Sequence, residues 1–216
     1  VNVLSDNFAM FREGFVGTVE LTVLSALLAL VVGILIAAFR VSPVPALRIF
    51  GSTWVTLLLN TPLVLLFLAV TLGLPALGLK GWDSFWLAVM ALGSYTSAFV
   101  CEAIRSGINA VPVGQAEAAR SIGMTFNQTL GQIVLPQATR TAVPPLGSLM
   151  IALAKNTTIA SSFNVTELGS VQKTLNADSG YNIFVIFLWI AICYVVITFA
   201  ISGLFRLLEN RLAVAR

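Results

Sequence analysis

The chain has 216 residues, of which 58% are hydrophobic and only 10% charged, with a formal net charge of +3. Soluble domains carry roughly 25% charged residues, so this composition excludes a globule wetted on all sides. The chain contains no histidine, which also excludes His-based zinc sites, Ser-His-Asp triads and Cys-His pairs.

The apolar residues fall in blocks long enough to cross a bilayer, which takes about 20 residues as a helix. Five spans are predicted, at 14–39, 50–73, 84–106, 140–163 and 182–206. Each is expected to be helical, because in lipid a segment must satisfy its own backbone hydrogen bonds. The first span follows Asp6 and Glu13 rather than a basic stretch, and no small-residue cleavage site comes after it. It reads as a retained span and not as a signal peptide. Within it, Glu20 is expected to face water or a partner near the outer surface.

Span two is interrupted by Asn60-Thr61-Pro62. Pro62 has no N–H and clashes with the preceding turn, which frees carbonyls near residue 58. Broken helices at membrane depth are where transporters bind substrate, with Thr61 the foremost contact; a tolerated proline kink is the other reading. Downstream, Gly73 to Lys80 has the look of a phosphate loop. Its lysine comes one place late, no Ser or Thr follows, and no strand precedes it, so no nucleotide site is expected here. In span three, Glu102 and Arg105 are three apart and share a helix face, which suits a structural ion pair. Cys101 and Cys193 lie in separate apolar blocks and read as small buried side chains rather than a disulfide.

Between spans three and four, the segment 107–139 contains "AVPVGQAEAARSIG". Pro112 suits a first helical position, and Gly123 suits the left-handed residue just past a helix end. The helix between them is about 15 Å long, too short to span. Thr125 and Gln128 have capping-box spacing for a second helix, and Pro136 marks the next boundary. Ala116, Ala118 and Ala119 offer a flat surface; Ile122, Met124 and Phe126 offer apolar contacts, and Glu117 and Arg120 offer charge. The residues alone leave open whether this helix docks a protein or lies on lipid headgroups.

Span four carries Lys155 near its middle, followed by Asn156, Thr157 and Thr158. An unpaired ammonium at that depth costs at least ~2.5 kcal/mol, so it needs a partner or a wet cavity. It reads either as a substrate site in which Lys155 meets a carboxylate, or as a structural lysine paired with Glu102 or a carbonyl. No His/Cys/carboxylate cluster points to a metal.

Arg40, Arg48, Arg105, Arg120, Arg140, Arg206, Arg211 and Arg216 fall on one side of the five spans. Only Arg12, Lys80 and Lys173 fall on the other, with Asp6, Glu13, Asp83, Glu167 and Asp178. The positive-inside rule then predicts the N-terminus outside, the C-terminus in the cytoplasm, and segment 107–139 facing the cytoplasm. The net charge is this asymmetry and does not point to nucleic acid.

Glu117-Ala118-Ala119, then Gly123, then Ile133 and Leu135-Pro136 resemble the EAA signature of ABC importer permeases: EAA, three residues, Gly, nine residues, I-x-L-P. "NTPLVLLF" (60–67), "SGINAVPVGQAEAA" (106–119) and "LAKNTTIAS" (153–161) are similar to the polar-amino-acid branch of the histidine/glutamine/glutamate type. "RVSP" and "EAIRSGIN" bring the resemblance closest to the actinobacterial glutamate-uptake permeases. It covers nearly the whole chain.

The resemblance implies one all-α transmembrane domain over 1–216, of the type I ABC importer permease kind, with five transmembrane helices and a cytoplasmic coupling helix. Glu117, Ala118, Ala119, Gly123 and Met124 would meet a cytoplasmic ABC ATPase dimer. Asn60, Thr61, Lys155, Asn156 and Thr157 would contact the amino acid. The implied partners are a second permease subunit, either a homologue or a copy, and an extracytoplasmic solute-binding protein, all at the bacterial plasma membrane. No catalysis, cofactor or metal of its own is implied.

Relatives that take basic amino acids often have Asp where this chain has Asn156 and Glu where it has Leu149. This departure favours an acidic or neutral substrate, glutamate above all. A channel or secondary transporter working without an ATPase is the alternative. An intramembrane enzyme is disfavoured, since no Ser–Lys or paired-Asp arrangement is persuasive.

Overall fold

The structure, a computed structural model, describes residues 3–79, 81–178 and 180–212. Lys80 and Arg216 of the charge count, and the Asp178 side chain, lie outside the described residues. Among those described, every regular element is helical. A single turn α1 (Val3–Asp6) leads into α2 (Phe8–Val41), and a short link leads to α3 (Pro45–Asn60). Beyond the break come α4 (Leu63–Leu68), a π-helical stretch Ala69–Gly73 and α5 (Leu74–Ala76). α6 (Ser84–Asn109) crosses back to α7 (Val113–Ser121). Next come α8 (Phe126–Gln128), a second π-helical stretch Thr129–Val134, and α9 (Leu135–Asn156), which tightens into a 3₁₀ helix, Thr157–Phe163. α10 (Leu168–Asp178) and α11 (Ile183–Leu212) complete the chain.

Three of these helices, α2, α6 and α11, are long and apolar enough to cross a membrane singly, and the α3 and α4–α5 pair is a fourth if taken as one bent span. The sequence reading expects five. The difference lies in the stretch 140–163, which the sequence reads as one span. Here α9 carries Arg140, Lys155 and two internal prolines, Pro144 and Pro145. The last part of that stretch is 3₁₀ rather than α. The Thr157 and Ser161 hydroxyls donate to carbonyls three residues back, Ala154 and Thr158, at 2.8 Å each. Such local side-chain bonds compete with the α ladder.

Each π-helical stretch ends just before a proline, Pro75 or Pro136. A proline inside an α-helix clashes with the carbonyl four residues back, and the wider π turn relieves that crowding. Consequently Pro136 does not end a helix, as the sequence reading expects. Helical backbone runs without interruption from Phe126 to Asn156.

The most extensive packing is between α2 and α6. α2 turns a stripe of small residues toward its neighbours: Gly14, Thr18, Ser25, Ala29 and Gly33 are buried. Small side chains let membrane helices approach closely. At Gly33 an added Cβ would sit 2.9 Å from the Ser97 carbonyl oxygen, and at Gly17 2.2 Å from that of Thr166. Leu21, Phe67, Leu92 and Leu153 form the centre of the core and are essentially inaccessible. By contrast α11 exposes Phe184, Phe187 and Phe199 along its length, a face that suits lipid or another apolar surface.

Candidate functional site

The α7 segment is built as a rigid elbow. Pro112 stands one place before the first helical residue, as the N-cap, so the expected position is displaced by one. At the other end Gly123 has φ +91°, which a side chain would strain. The Gly123 amide donates to Arg120 at 3.0 Å and the Met124 amide to Ala119 at 3.2 Å. This is the Schellman pattern, in which two nested bonds close the helix end. Thr125 then starts α8 with a reciprocal capping box: its amide donates to Gln128 Oε1 at 2.9 Å, and its hydroxyl accepts from the Gln128 amide. Gln137 on α9 donates to Gln115 on α7, tying both arms of the elbow together.

Of the five residues expected to meet an ATPase, Glu117, Ala118 and Gly123 are exposed, and Met124 is half-buried. Ala119 is 5% exposed and faces its own bundle, so the outward surface of α7 is narrower than the alanine run implies. Val113, Ile122 and Phe126 are instead wide open, at 72%, 81% and 71%. Apolar residues this exposed around a short helix and the turn after it form a patch of the kind that another surface covers.

The expected substrate residues do not converge through hydrogen bonds or ion pairs among the described residues. The break at Thr61 and Pro62 is present, with the two flanking helices 110° apart. Its freed carbonyls are recaptured locally: Asn60 Nδ2 donates to Thr56 and Thr61 Oγ1 to Leu57, both at 2.7 Å. Lys155 is exposed, Asn156 is half-buried and Thr157 is fully buried, so the polar step is spread around the helix. Lys155 has no ion-pair partner among the described residues, and Glu102 is engaged elsewhere. Glu102 pairs with Arg105, as expected, at 3.0 Å, and also with Arg40 at the end of α2.

Sequence reasoning missed a buried polar chain at the other end of the bundle. Glu167 lies in the connection before α10 and is completely inaccessible. Its Oε1 accepts from the Ser170 amide at 3.0 Å, and Ser170 Oγ in turn accepts from the Glu167 amide at 3.0 Å. Its Oε2 accepts from the Tyr194 hydroxyl at 2.8 Å, and that hydroxyl accepts from Thr158 at 2.7 Å. Thr18 on α2 accepts from the Leu168 amide at 3.1 Å. Burial pushes the Glu167 carboxyl above the usual carboxylate range, while the Gly169 amide, the Tyr194 hydroxyl and the Ser170 amide pull it back. The Glu-x-x-Ser spacing of 167–170 was the one local signal for this cap; the Tyr194 contact had none.

Beside this network a cleft of about 580 Å³ is lined by Arg12, Glu13, Glu20, Asp83, Asn164 and Thr166. Asp83 caps the start of α6 and α7 follows its end, so cleft and elbow lie at opposite ends of the bundle. Glu20 is exposed there, as expected of a residue facing water or a partner.

Comparison with known proteins agrees with this architecture. Residues 29–214 match the family model described as the binding-protein-dependent transport system inner membrane component. The chain is 42% identical over 210 residues to the glutamate transport system permease protein GluC of Corynebacterium glutamicum, covering 92% of each chain. It is 37% identical over 212 residues to the probable glutamine ABC transporter permease protein GlnM of Bacillus subtilis, covering 98% of this chain and 97% of that one. Among solved structures it superposes on one titled as an amino acid ABC transporter with histidines, with TM-score 0.89, 31% identity and 96% of each chain covered. With an all-α apolar bundle, an exposed elbow closed by the EAA-and-glycine segment, and these relatives, the chain belongs to the binding-protein-dependent transport system inner membrane components, a transport subunit rather than an enzyme.

Proposed function

We propose that the chain is the transmembrane permease subunit of an ATP-driven importer for a polar L-amino acid, with glutamate as the substrate. The observation that carries this reading is the elbow. α7 is exposed, closed at its C-terminal end by the Gly123 turn and tied to α9 through Gln115 and Gln137, and beyond that turn helical backbone runs without a break from Phe126 to Asn156. A push on α7 from a docked ATPase would be delivered along that helix to membrane depth. In this reading α7 faces the cytoplasm, α9 and its 3₁₀ end count as the fourth of five spans, and residues 1–216 form one transmembrane domain.

Glutamate is supported on two grounds. Relatives at 42% identity are named for glutamate transport. In addition, α9 and its 3₁₀ extension contain Lys155 and no Asp or Glu, a composition that favours an anionic or neutral side chain over a cationic one. Thr61, Asn60, Lys155, Asn156 and Thr157 are the proposed contacts. A second permease subunit, a homologue or a copy of this chain, would complete the path, and a solute-binding protein would deliver substrate at the cleft lined by Arg12, Glu20 and Asp83, which in this reading faces outward.

The test is uptake of labelled glutamate into proteoliposomes holding the chain, an ATPase dimer, the second permease and the binding protein. ATP-dependent uptake that resists excess arginine supports the reading. Uptake that needs no ATPase would replace it with a channel or secondary transporter.

A further inference from the structure

A second cavity lies at the end of the bundle from which α7 projects. It has a volume of about 570 Å³ and is lined by Arg40, Arg48, Arg105, Ser52 and Thr53, with Pro45 and Ile49 at its edge. The three guanidinium groups come from three elements: the last turn of α2, the first turn of α3, and the end of α6. Glu102 takes up part of the charge of Arg40 and Arg105. Arg48 has no ion-pair partner among the described residues, and neither the Ser52 nor the Thr53 hydroxyl has a hydrogen-bond partner there. The cavity thus keeps an excess of positive charge and unused donors.

Its surroundings are apolar. Val41, Val44, Ile49 and Phe50 are 60%, 48%, 67% and 52% exposed, so the cationic hollow opens beside a hydrocarbon-compatible rim. Guanidinium groups recognise phosphate through paired N–H donors, and basic pockets between membrane helices bind anionic headgroups. We propose that this cavity binds a phosphate-bearing anion, with an anionic phospholipid of the surrounding leaflet as its source. The headgroup sits among Arg48, Arg40 and Arg105, and the acyl chains run along Val41, Ile49 and Phe50. The bound lipid bridges α2, α3 and α6 just before the chain turns into α7.

The assembled transporter, purified in neutral detergent, is titrated with phosphatidylglycerol, with phosphatidylcholine of the same chain length, and with inorganic phosphate. Bound lipid is counted by native mass spectrometry. Saturable retention of phosphatidylglycerol over phosphatidylcholine is expected. Arg48→Gln, which breaks no ion pair, should weaken it about fivefold, the equivalent of ~1 kcal/mol for one arginine near an anionic surface. Arg140→Gln, at the same end but outside the cavity, should leave it unchanged. Displacement by inorganic phosphate at matched concentration supports the anion site and assigns it to a soluble source. Equal retention of the two lipids, or equal weakening by Arg48→Gln and Arg140→Gln, overturns the proposal. The readout is binding, so it stands whether or not glutamate is transported.

Discussion

Glu167, wholly buried where α10 begins, accepts a hydrogen bond from Tyr194 on α11 at 2.8 Å. With the Ser170 amide on the other carboxylate oxygen and Thr18 holding the Leu168 amide, it joins α2, α10 and α11 at one point. A buried acceptor that loses its donor costs about 1–3 kcal/mol. Tyr194→Phe should therefore lower the thermal unfolding midpoint of the detergent-solubilised protein by several degrees. A midpoint unmoved by the substitution would show that the Glu167–Tyr194 bond holds nothing together.

The same carboxylate sets a pH dependence. Its folded-state pKa is raised by burial, so its contribution favours the folded state below the ordinary carboxylate pKa of about 4.3 and is lost as pH rises through the raised value. Relative to Glu167→Gln, the wild type should gain thermal stability as pH falls from neutral toward that range. Parallel pH profiles for the two proteins would contradict this sign.

At Gly123, φ +91° makes the residue type itself testable. Gly123→Ala should cost about 1 kcal/mol and loosen the elbow, because only glycine takes this conformation freely. Gly123→Pro, which fixes φ near −65° and removes the amide bonded to Arg120, should abolish stimulation of the ATPase by substrate while the protein still inserts and assembles. The measurement is ATP hydrolysis by the reconstituted transporter. Normal coupling in Gly123→Pro would mean that the elbow geometry is irrelevant to transport.

Two other glycines should respond oppositely to alanine. At Gly17 a Cβ would fall 2.2 Å from the Thr166 carbonyl oxygen, whereas at Gly114 it would meet nothing within 4 Å. Gly17→Ala should destabilise by about 1–3 kcal/mol, the range for overpacking. Gly114→Ala, inside α7, should be neutral or stabilising by up to about 1 kcal/mol. Thermal unfolding of both variants decides this, and a stable Gly17→Ala protein would show that α2 and the 166–167 backbone are less closely packed than described.

Lys155 separates a structural from a functional role. It is exposed and no partner among the described residues would be left stranded by its loss, so Lys155→Gln should leave the unfolding midpoint within about 0.5 kcal/mol of wild type. If Lys155 meets the substrate carboxylate, the same variant should impair glutamate uptake at least tenfold. Loss of stability with uptake intact would return Lys155 to a purely structural role.

Much of the molecule was legible because the deciding contacts are local. Apolar blocks name the spans α2, α6 and α11. Pro62 announces the break that turns the chain by 110°, and Gly123 with Thr125 and Gln128 spells out the elbow down to its individual hydrogen bonds. Each rests on residues within a turn or two of one another, where backbone sterics and cap chemistry act without reference to the rest of the fold. The EAA-and-glycine segment belongs to the same class, and it brought family and fold into view before any tertiary contact was known.

Only the tertiary structure decided which charges meet and which faces are covered. Glu102 engages Arg40 across 62 positions of sequence, and Glu167 meets Tyr194 across 27. Neither pairing has a periodicity to reveal it, because both depend on how α2 approaches α6 and how α10 folds against α11. Packing likewise turned Ala119 inward and left Lys155 exposed. Sequence alone determined a membrane-spanning helical chain with a rigid exposed elbow. The helix–helix approaches, set by small residues and buried hydrogen bonds between distant segments, decided where its buried acid, its paired arginines and its cavities lie.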